Sequence, residues 1–266
     1  MSQPVKFEVS DAIATITIDV PDQRNAITDP AVLESLLDAL ATADTQRGIR
    51  VAILTGNGPV FSSGGNLKQM GAKGGLNDPL PARTRVNYKH GIQRLPLALE
   101  RMEVPVIAAV NGPAIGAGCD LTCMCDIRIA AASARFAESF VKVGLVPGDG
   151  GAWLLPRVVG FAKAAEMALT GELIDANEAL KFGLVSQVVP DDQLMPTARA
   201  IAQKIADNPP HAVRLTRRLL REAWANRLDT VLELSASYQA LVHATADHRE
   251  AVDAMLTKRK GQFTGE

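Results

Sequence analysis

From the N-terminus to about residue 190, short apolar runs alternate with stretches of helical periodicity, and beyond that point only the helical period remains. Alternating strands and helices are compatible with a sheet covered by helices, whereas an unbroken series of helices must find another surface for its apolar faces. Ile13, Thr15, Thr17 and Asp19 alternate with Ala14, Ile16, Ile18 and Val20, which predicts a strand over 12–20, ended by Pro21. Thr28-Asp29-Pro30 predicts a helix start, with a side-chain oxygen for the free N–H groups and a proline whose missing N–H costs nothing there. Leu33, Leu36, Leu37 and Leu40 follow at helical spacing. Residues 51–54, 106–110 and 127–130 read as buried strands, and about 84–101 as one helix. Four further helices are expected over about 192–206, 210–225, 228–244 and 246–258. The expected organisation is an α/β core over 1–190 and an all-helical region over 191–266, with 71–82 as a loop.

Charge and composition exclude several classes. The 28 Lys and Arg against 29 Asp and Glu leave a net charge of −1. That balance argues against a nucleic-acid partner, since phosphate affinity needs clustered cations whose counterions are released. A chain that is 47% hydrophobic is not a disordered one. Pro4, Lys6 and Glu8 interrupt any export signal in the first ten residues. No apolar run reaches the roughly 20 residues of a membrane helix. Cys119, Cys123 and Cys125 lack paired Cys-x-x-Cys spacing and a nearby His, so they are expected as reduced, buried thiols and not as a metal site.

Two Gly-rich turns follow strands: 61–68, Phe-Ser-Ser-Gly-Gly-Asn-Leu-Lys, and 111–120, Asn-Gly-Pro-Ala-Ile-Gly-Ala-Gly-Cys-Asp. Each feeds a helix start, where backbone N–H groups lack internal partners and small residues let a ligand approach. A dinucleotide fingerprint would need a third glycine where Leu121 stands, and no Gly-Lys-Ser/Thr of a P-loop occurs. No cofactor is expected by either route.

With these segments in view, the chain resembles the crotonase superfamily, also called the enoyl-CoA hydratase/isomerase family. The resemblance rests on the Asn25-Ala26 turn, 61–68, 106–126 with Asn111-Gly112 and Cys125-Asp126, and 144–151. It extends through Leu169-Thr170-Gly171-Glu172, Gly183-Leu184-Val185 and Lys258-Arg259-Lys260. It implies a crotonase-like spiral of repeated ββα units with a C-terminal all-helical trimerisation region. It further implies an acyl-CoA thioester as substrate, a homotrimer or dimer of trimers, no metal, and no cofactor besides the coenzyme A carried by the substrate. By position, the N–H groups of Gly65 and Ala117 would form an oxyanion hole around the thioester carbonyl, favouring the enolate-like transition state. Asn66, Leu67 and Lys68, beside Ala26, match positions that hold the pantetheine and nucleotide end. Arg24 and Lys260 are candidate phosphate partners, each equally readable as solvated surface charge.

The chain departs from the hydratase pattern where the chemistry should lie. Family hydratases use two glutamates to hold and activate water. Here the first position is Asp120 and the second is Phe140, which cannot transfer a proton. Three alternatives stay open. Asp120 acts alone as acid and base, as in double-bond isomerisation; Glu138 or Asp149 substitutes; or the chain binds acyl-CoA without chemistry. Relatives that isomerise dienes or displace halide place an Asp one residue before Asp149, at Gly148. The competing structural expectations are a helix N-cap for Asp149, a surface or interchain ion pair for Glu138, and core or pocket wall for Phe140 and Trp153. Tyr88 and His90 sit in the helix expected to line an acyl pocket. A cytoplasmic location is expected.

Overall fold

A computed structural model describes residues 3–66 and 75–266. The described strands are β1 (Val5–Ser10), β2 (Ile13–Ile18), β3 (Val51–Gly56), β4 (Val106–Val110), β5 (Ala114–Ile115), β6 (Ile127–Ala131), β7 (Arg135–Ala137), β8 (Ile174–Asp175) and β9 (Gln187–Val189). Six of them form one sheet in the order β1-β2-β3-β4-β6-β9, and β5-β7-β8 form a second, smaller one. The β1–β2 hairpin is antiparallel, and every other pair of the large sheet is parallel.

Strand parity sorts the core into two layers. Ala52, Leu54, Val106, Ala108 and Val110 face one side. There they pack with α1 (Pro30–Thr45), which begins where expected because Asp29 accepts from the N–H groups of Ala31 and Val32. Val51, Ile53, Ile107 and Ala109 face the other side. Leu194, Ala198, Ala202 and Ala206 cover them, one stripe at four-residue spacing. The first helix of the C-terminal series thus lies on the sheet.

The segment expected as one helix over 84–101 is two, α2 (Pro81–His90) and α3 (Arg94–Arg101). Gly91, at φ −105° and ψ −119°, leaves the helical region, and Pro96 falls in the first turn of α3, where its missing N–H is tolerated. Next come α4 (Ala117–Met124), α5 (Gly151–Val159), α6 (Phe161–Thr170) and α7 (Ala176–Lys181). The C-terminal series is α8 (Leu194–Ala206), α9 (Pro210–Ala223), α10 (Leu228–His243) and α11 (Ala246–Leu256). No residue of α10 is buried, and Leu228, Leu232, Leu241 and Leu256 are exposed. Residues 71–74 of the expected loop lie outside the described residues, and Pro81 already belongs to α2.

Candidate active site

Three loops leave the carboxyl ends of β2, β3 and β4, the edge where open α/β sheets bind ligands. Hydrogen bonds tie them together. Asn25, buried, donates from Nδ2 to the carbonyls of Asn57 (2.9 Å) and Val60 (2.7 Å). Ser62 Oγ donates to Asn25 O (2.7 Å) and accepts from Gly64 N–H (3.1 Å). Ile27 N–H donates to Gly64 O (2.8 Å), which buries Ala26 beneath the turn. Ser63 N–H donates to Arg24 O (2.9 Å), so exposed Arg24 stands beside the same turn. The second Gly-rich segment joins through Ile115 N–H to Ser62 O (2.9 Å).

The approach is close enough that a Cβ on Gly64 would lie 2.7 Å from Ala117 N and 3.0 Å from Gly118 N. Gly116, at φ +54°, turns the chain into α4 in a conformation that other residues rarely adopt. Among the described residues, neither Gly65 N–H nor Ala117 N–H has an acceptor. Two unpaired donors therefore stand on neighbouring turns, one of them at the positive end of a helix. Asn66 follows Gly65 and is half-buried, while Leu67 and Lys68 lie outside the described residues. Lys260 is not brought to this site by its own chain. It pairs with Asp207 (3.1 Å) after the end of α8, near Arg50. Arg50 precedes β3, a strand length away from the loop holding Gly65.

Asp120 sits in the first turn of α4 and is fully buried; Glu138 and Asp149 are 1% and 3% exposed. No donor reaches either oxygen of Asp120, either oxygen of Glu138, or Oδ1 of Asp149 among the described residues. A Cβ on Gly151 would fall on both Asp120 Oδ1 and Glu138 Oε1, so the absence of a side chain there lets the carboxyls converge. Burial and then the neighbouring Glu138 and Asp149 carboxylates push the Asp120 carboxyl well above its ordinary range. Burial pushes Glu138 up to about 8, and it also raises Asp149.

These placements correct two expectations. Glu138 makes no surface ion pair, because β7 leads it inward onto Asp120. Asp149 does not cap α5: the N-cap is Gly150, with no side-chain hydrogen bond, and the Asp149 carboxyl is buried instead. Gly148 has Tyr88 against it, where a Cβ would come within 2.9 Å of Cε1, so an Asp at 148 would require that ring to move. Tyr88 is half-buried and His90 is exposed. Phe140 stands over Gly116, where a Cβ would meet its ring at 3.7 Å, next to the Ala117 N–H. Trp153 belongs to a pocket wall: with Gln93, Pro96, Leu97, Asp149 and Leu154 it lines a cavity of about 380 Å³. Cys119, Cys123 and Cys125 are buried free thiols, and no group of metal-ligating side chains occurs among the described residues.

Comparison with known proteins places this geometry. The family model for enoyl-CoA hydratase/isomerase matches residues 8–266. The chain belongs to the enoyl-CoA hydratase/isomerase family. It is similar to 1,2-epoxyphenylacetyl-CoA isomerase of Escherichia coli, 37% identical with 100% of both chains covered. It is also similar to a protein named probable enoyl-CoA hydratase from Rhodobacter capsulatus, 40% identical over 98% of each chain. Among solved structures, the enoyl-CoA hydratase of Bacillus anthracis superposes with a TM-score of 0.92 at 34% identity, covering 99% of this chain and 100% of that one. The fold is the crotonase fold, and this family member is an acyl-CoA-processing enzyme of the hydratase/isomerase type.

Sequence reasoning missed two sets of buried groups. The convergence of Glu138 on Asp120 follows a non-helical, non-extended backbone at 138 (φ −93°, ψ 67°), for which no periodicity predicts a direction. Arg217 and Arg221, paired with Asp126, had a readable signal in Arg214, Arg217 and Arg221 on one face of α9.

Proposed function

We propose that the protein moves a proton on an enoyl-CoA and isomerises its double bond in preference to hydrating it. The supporting observation is the burial of Asp120, without a donor, one turn into the helix that begins at the free Ala117 N–H. In this reading Gly65 and Ala117 N–H hold the thioester oxygen. Asp120 as carboxylate takes a proton from one carbon; the C–H electron pair moves through the enolate to that oxygen, and the proton returns to the other end of the allylic system. Each oxyanion donor contributes about 10²–10³ in rate. Phe140 supports isomerisation over hydration, because the ring replaces the second carboxylate that would grip water.

The acyl group would occupy the cavity walled by Leu97, Trp153 and Leu154, with Asp149 where the reacting carbons enter it. Arg24, Ala26, Asn66, Leu67 and Lys68 would hold the coenzyme A portion. Lys260 would contribute only from a neighbouring subunit. The exposed apolar residues of α10 support a homotrimer or dimer of trimers built through 191–266. No metal or cofactor enters the scheme beyond the substrate's coenzyme A. The enzyme would work in the cytoplasm, and no described helix is long and apolar enough to cross a membrane.

Because Asp149 lines the cavity, a second reading gives it the chemistry, as in thioester hydrolysis, decarboxylation or dehalogenation. Incubation of crotonyl-CoA, trans-3-hexenoyl-CoA, phenylacetyl-CoA, malonyl-CoA and 4-chlorobenzoyl-CoA in deuterated, oxygen-labelled water, followed by mass analysis, separates these readings: free labelled acid, loss of carbon dioxide or loss of chloride would favour the second. Deuterium incorporation with a shifted double bond and no added oxygen is expected from trans-3-hexenoyl-CoA. Oxygen added across the double bond overturns isomerisation in favour of hydration. Binding with no change in any substrate favours a non-catalytic homologue.

A further inference from the structure

The position of Glu138 is strapped to the candidate oxyanion hole. Ala137, immediately before it, accepts through its carbonyl from Gly116 N–H (2.8 Å), and Ala117 immediately follows Gly116. The same stretch that presents the Ala117 donor therefore places Glu138 against Asp120. Gly151 lies opposite both, and a Cβ there would collide with Asp120 Oδ1 and Glu138 Oε1 alike. Two carboxylates in contact do not both stay ionised when no cation or donor separates them. The groups facing the pair are Cys119 and Cys123 from α4 and Asp149 from the turn before α5. Tyr88 of α2 faces Asp149 in turn. None supplies a positive charge.

We infer that Glu138 is a positioning residue for the proton transfer: it shares one proton with Asp120 and thereby fixes which Asp120 oxygen faces the substrate. This rests on Asp120 being the base. In the resting pair one proton lies between the two carboxyls in a short charge-assisted hydrogen bond. After abstraction the pair holds two protons and the enolate holds the electron pair; returning one proton to the product carbon restores the resting pair. By donating the shared proton, Glu138 stabilises the Asp120 carboxylate in the resting pair and holds it in place.

The test is the pH dependence of kcat and kcat/KM for deuterium exchange into trans-3-hexenoyl-CoA, in the wild type, E138Q, E138D and D120N. The wild type should show a bell, its acid limb reporting the doubly protonated pair and its alkaline limb the loss of the shared proton. E138Q should lose the alkaline limb, move the acid limb to higher pH because the Asp120 carboxylate loses the shared proton's hydrogen bond, and lower kcat about tenfold because the reacting oxygen is no longer held in place; E138D should restore both limbs. An E138Q profile with both wild-type limbs overturns the inference. If D120N is inactive and E138Q is unchanged, only the role of Glu138 fails. If D120N keeps its turnover, the proposed function itself fails. A measurement independent of activity is the infrared carbonyl band of a protonated carboxylic acid at neutral pH. It should be present in the wild type and absent from E138Q, and its absence from the wild type overturns the shared proton.

Discussion

The two ends of α4 bury charge in opposite ways. Past its C-terminal end, Asp126 accepts from Arg217 Nε (2.7 Å) and Arg221 Nη2 (2.7 Å), and from Val106 N–H (2.8 Å). The remaining guanidinium donors reach the carbonyls of Leu99, Met102 and Met124 and the Glu100 carboxylate. At the N-terminal end, Asp120 is more deeply buried than Asp126 and has no donor. A part-buried charge with donors on both oxygens fixes α9 against the core. One without partners is unfavourable for folding and remains available to react. The contrast sets a carboxylate held by several donors apart from one that no donor reaches among the described residues.

Substituting each end should therefore produce opposite losses. Asp120→Asn should cut turnover by about 10²–10⁴, while the unfolding midpoint holds or rises because two acidic groups no longer compete for one buried site. Steady-state kinetics and chemical denaturation on one preparation check both halves, and a large fall in stability would break the comparison. Arg217→Ala should do the reverse. Removing one of the three donors to part-buried Asp126 costs about 1–3 kcal/mol of stability, read by denaturation, and whatever protein remains folded should keep the wild-type KM.

The pH dependence of stability sharpens the distinction. Glu138 ionises near 8 in the folded chain, against an ordinary 4.5, chiefly because it is buried. The folded state therefore holds a proton that the unfolded state has released, and this contribution falls as pH rises from about 4.5 to about 8. Denaturation across that window should show the decline in the wild type and a flatter curve in Glu138→Gln. The smallest effect belongs to Lys260→Ala. The ammonium is exposed and its only described partner is Asp207, so the unfolding midpoint should not move measurably. A raised KM in that variant would show that a neighbouring subunit supplies Lys260 to the site.

Much of this was legible in the chain because the signals were local. The Asp29-Pro30 cap, the alternation of 13–18 and the β-branched runs each carry their structural meaning within a few residues. Gly64 and Gly116 also announced turns with free donors, since small residues and positive φ are backbone properties. Asp120 is singled out through the family resemblance, as the position of the first hydratase glutamate. Glu138 and Asp149 are not settled by it. For each, a substitute catalytic role stands beside an ordinary surface or capping one, because nothing nearby in sequence shows that Gly151 leaves room for a carboxyl, or that Tyr88 lies against Gly148. The break at Gly91 was missed because the helical pattern on either side continues through it.

By itself the amino-acid sequence determined the change from alternating strands and helices to helices alone near residue 190, the two Gly-rich turns, and the family. These depend on periodicity, on backbone conformations available to glycine, and on residue chemistry, all written locally. Only the tertiary structure decided that Asp120 and Glu138 lie together beside Asp149 with no donor to either among the described residues, that Lys260 pairs with Asp207, and that Arg217 and Arg221 converge on Asp126. Ionisation and hydrogen bonding depend on what surrounds a group, and here the surroundings of Asp120 come from segments 18 and 29 residues further along the chain, at Glu138 and Asp149.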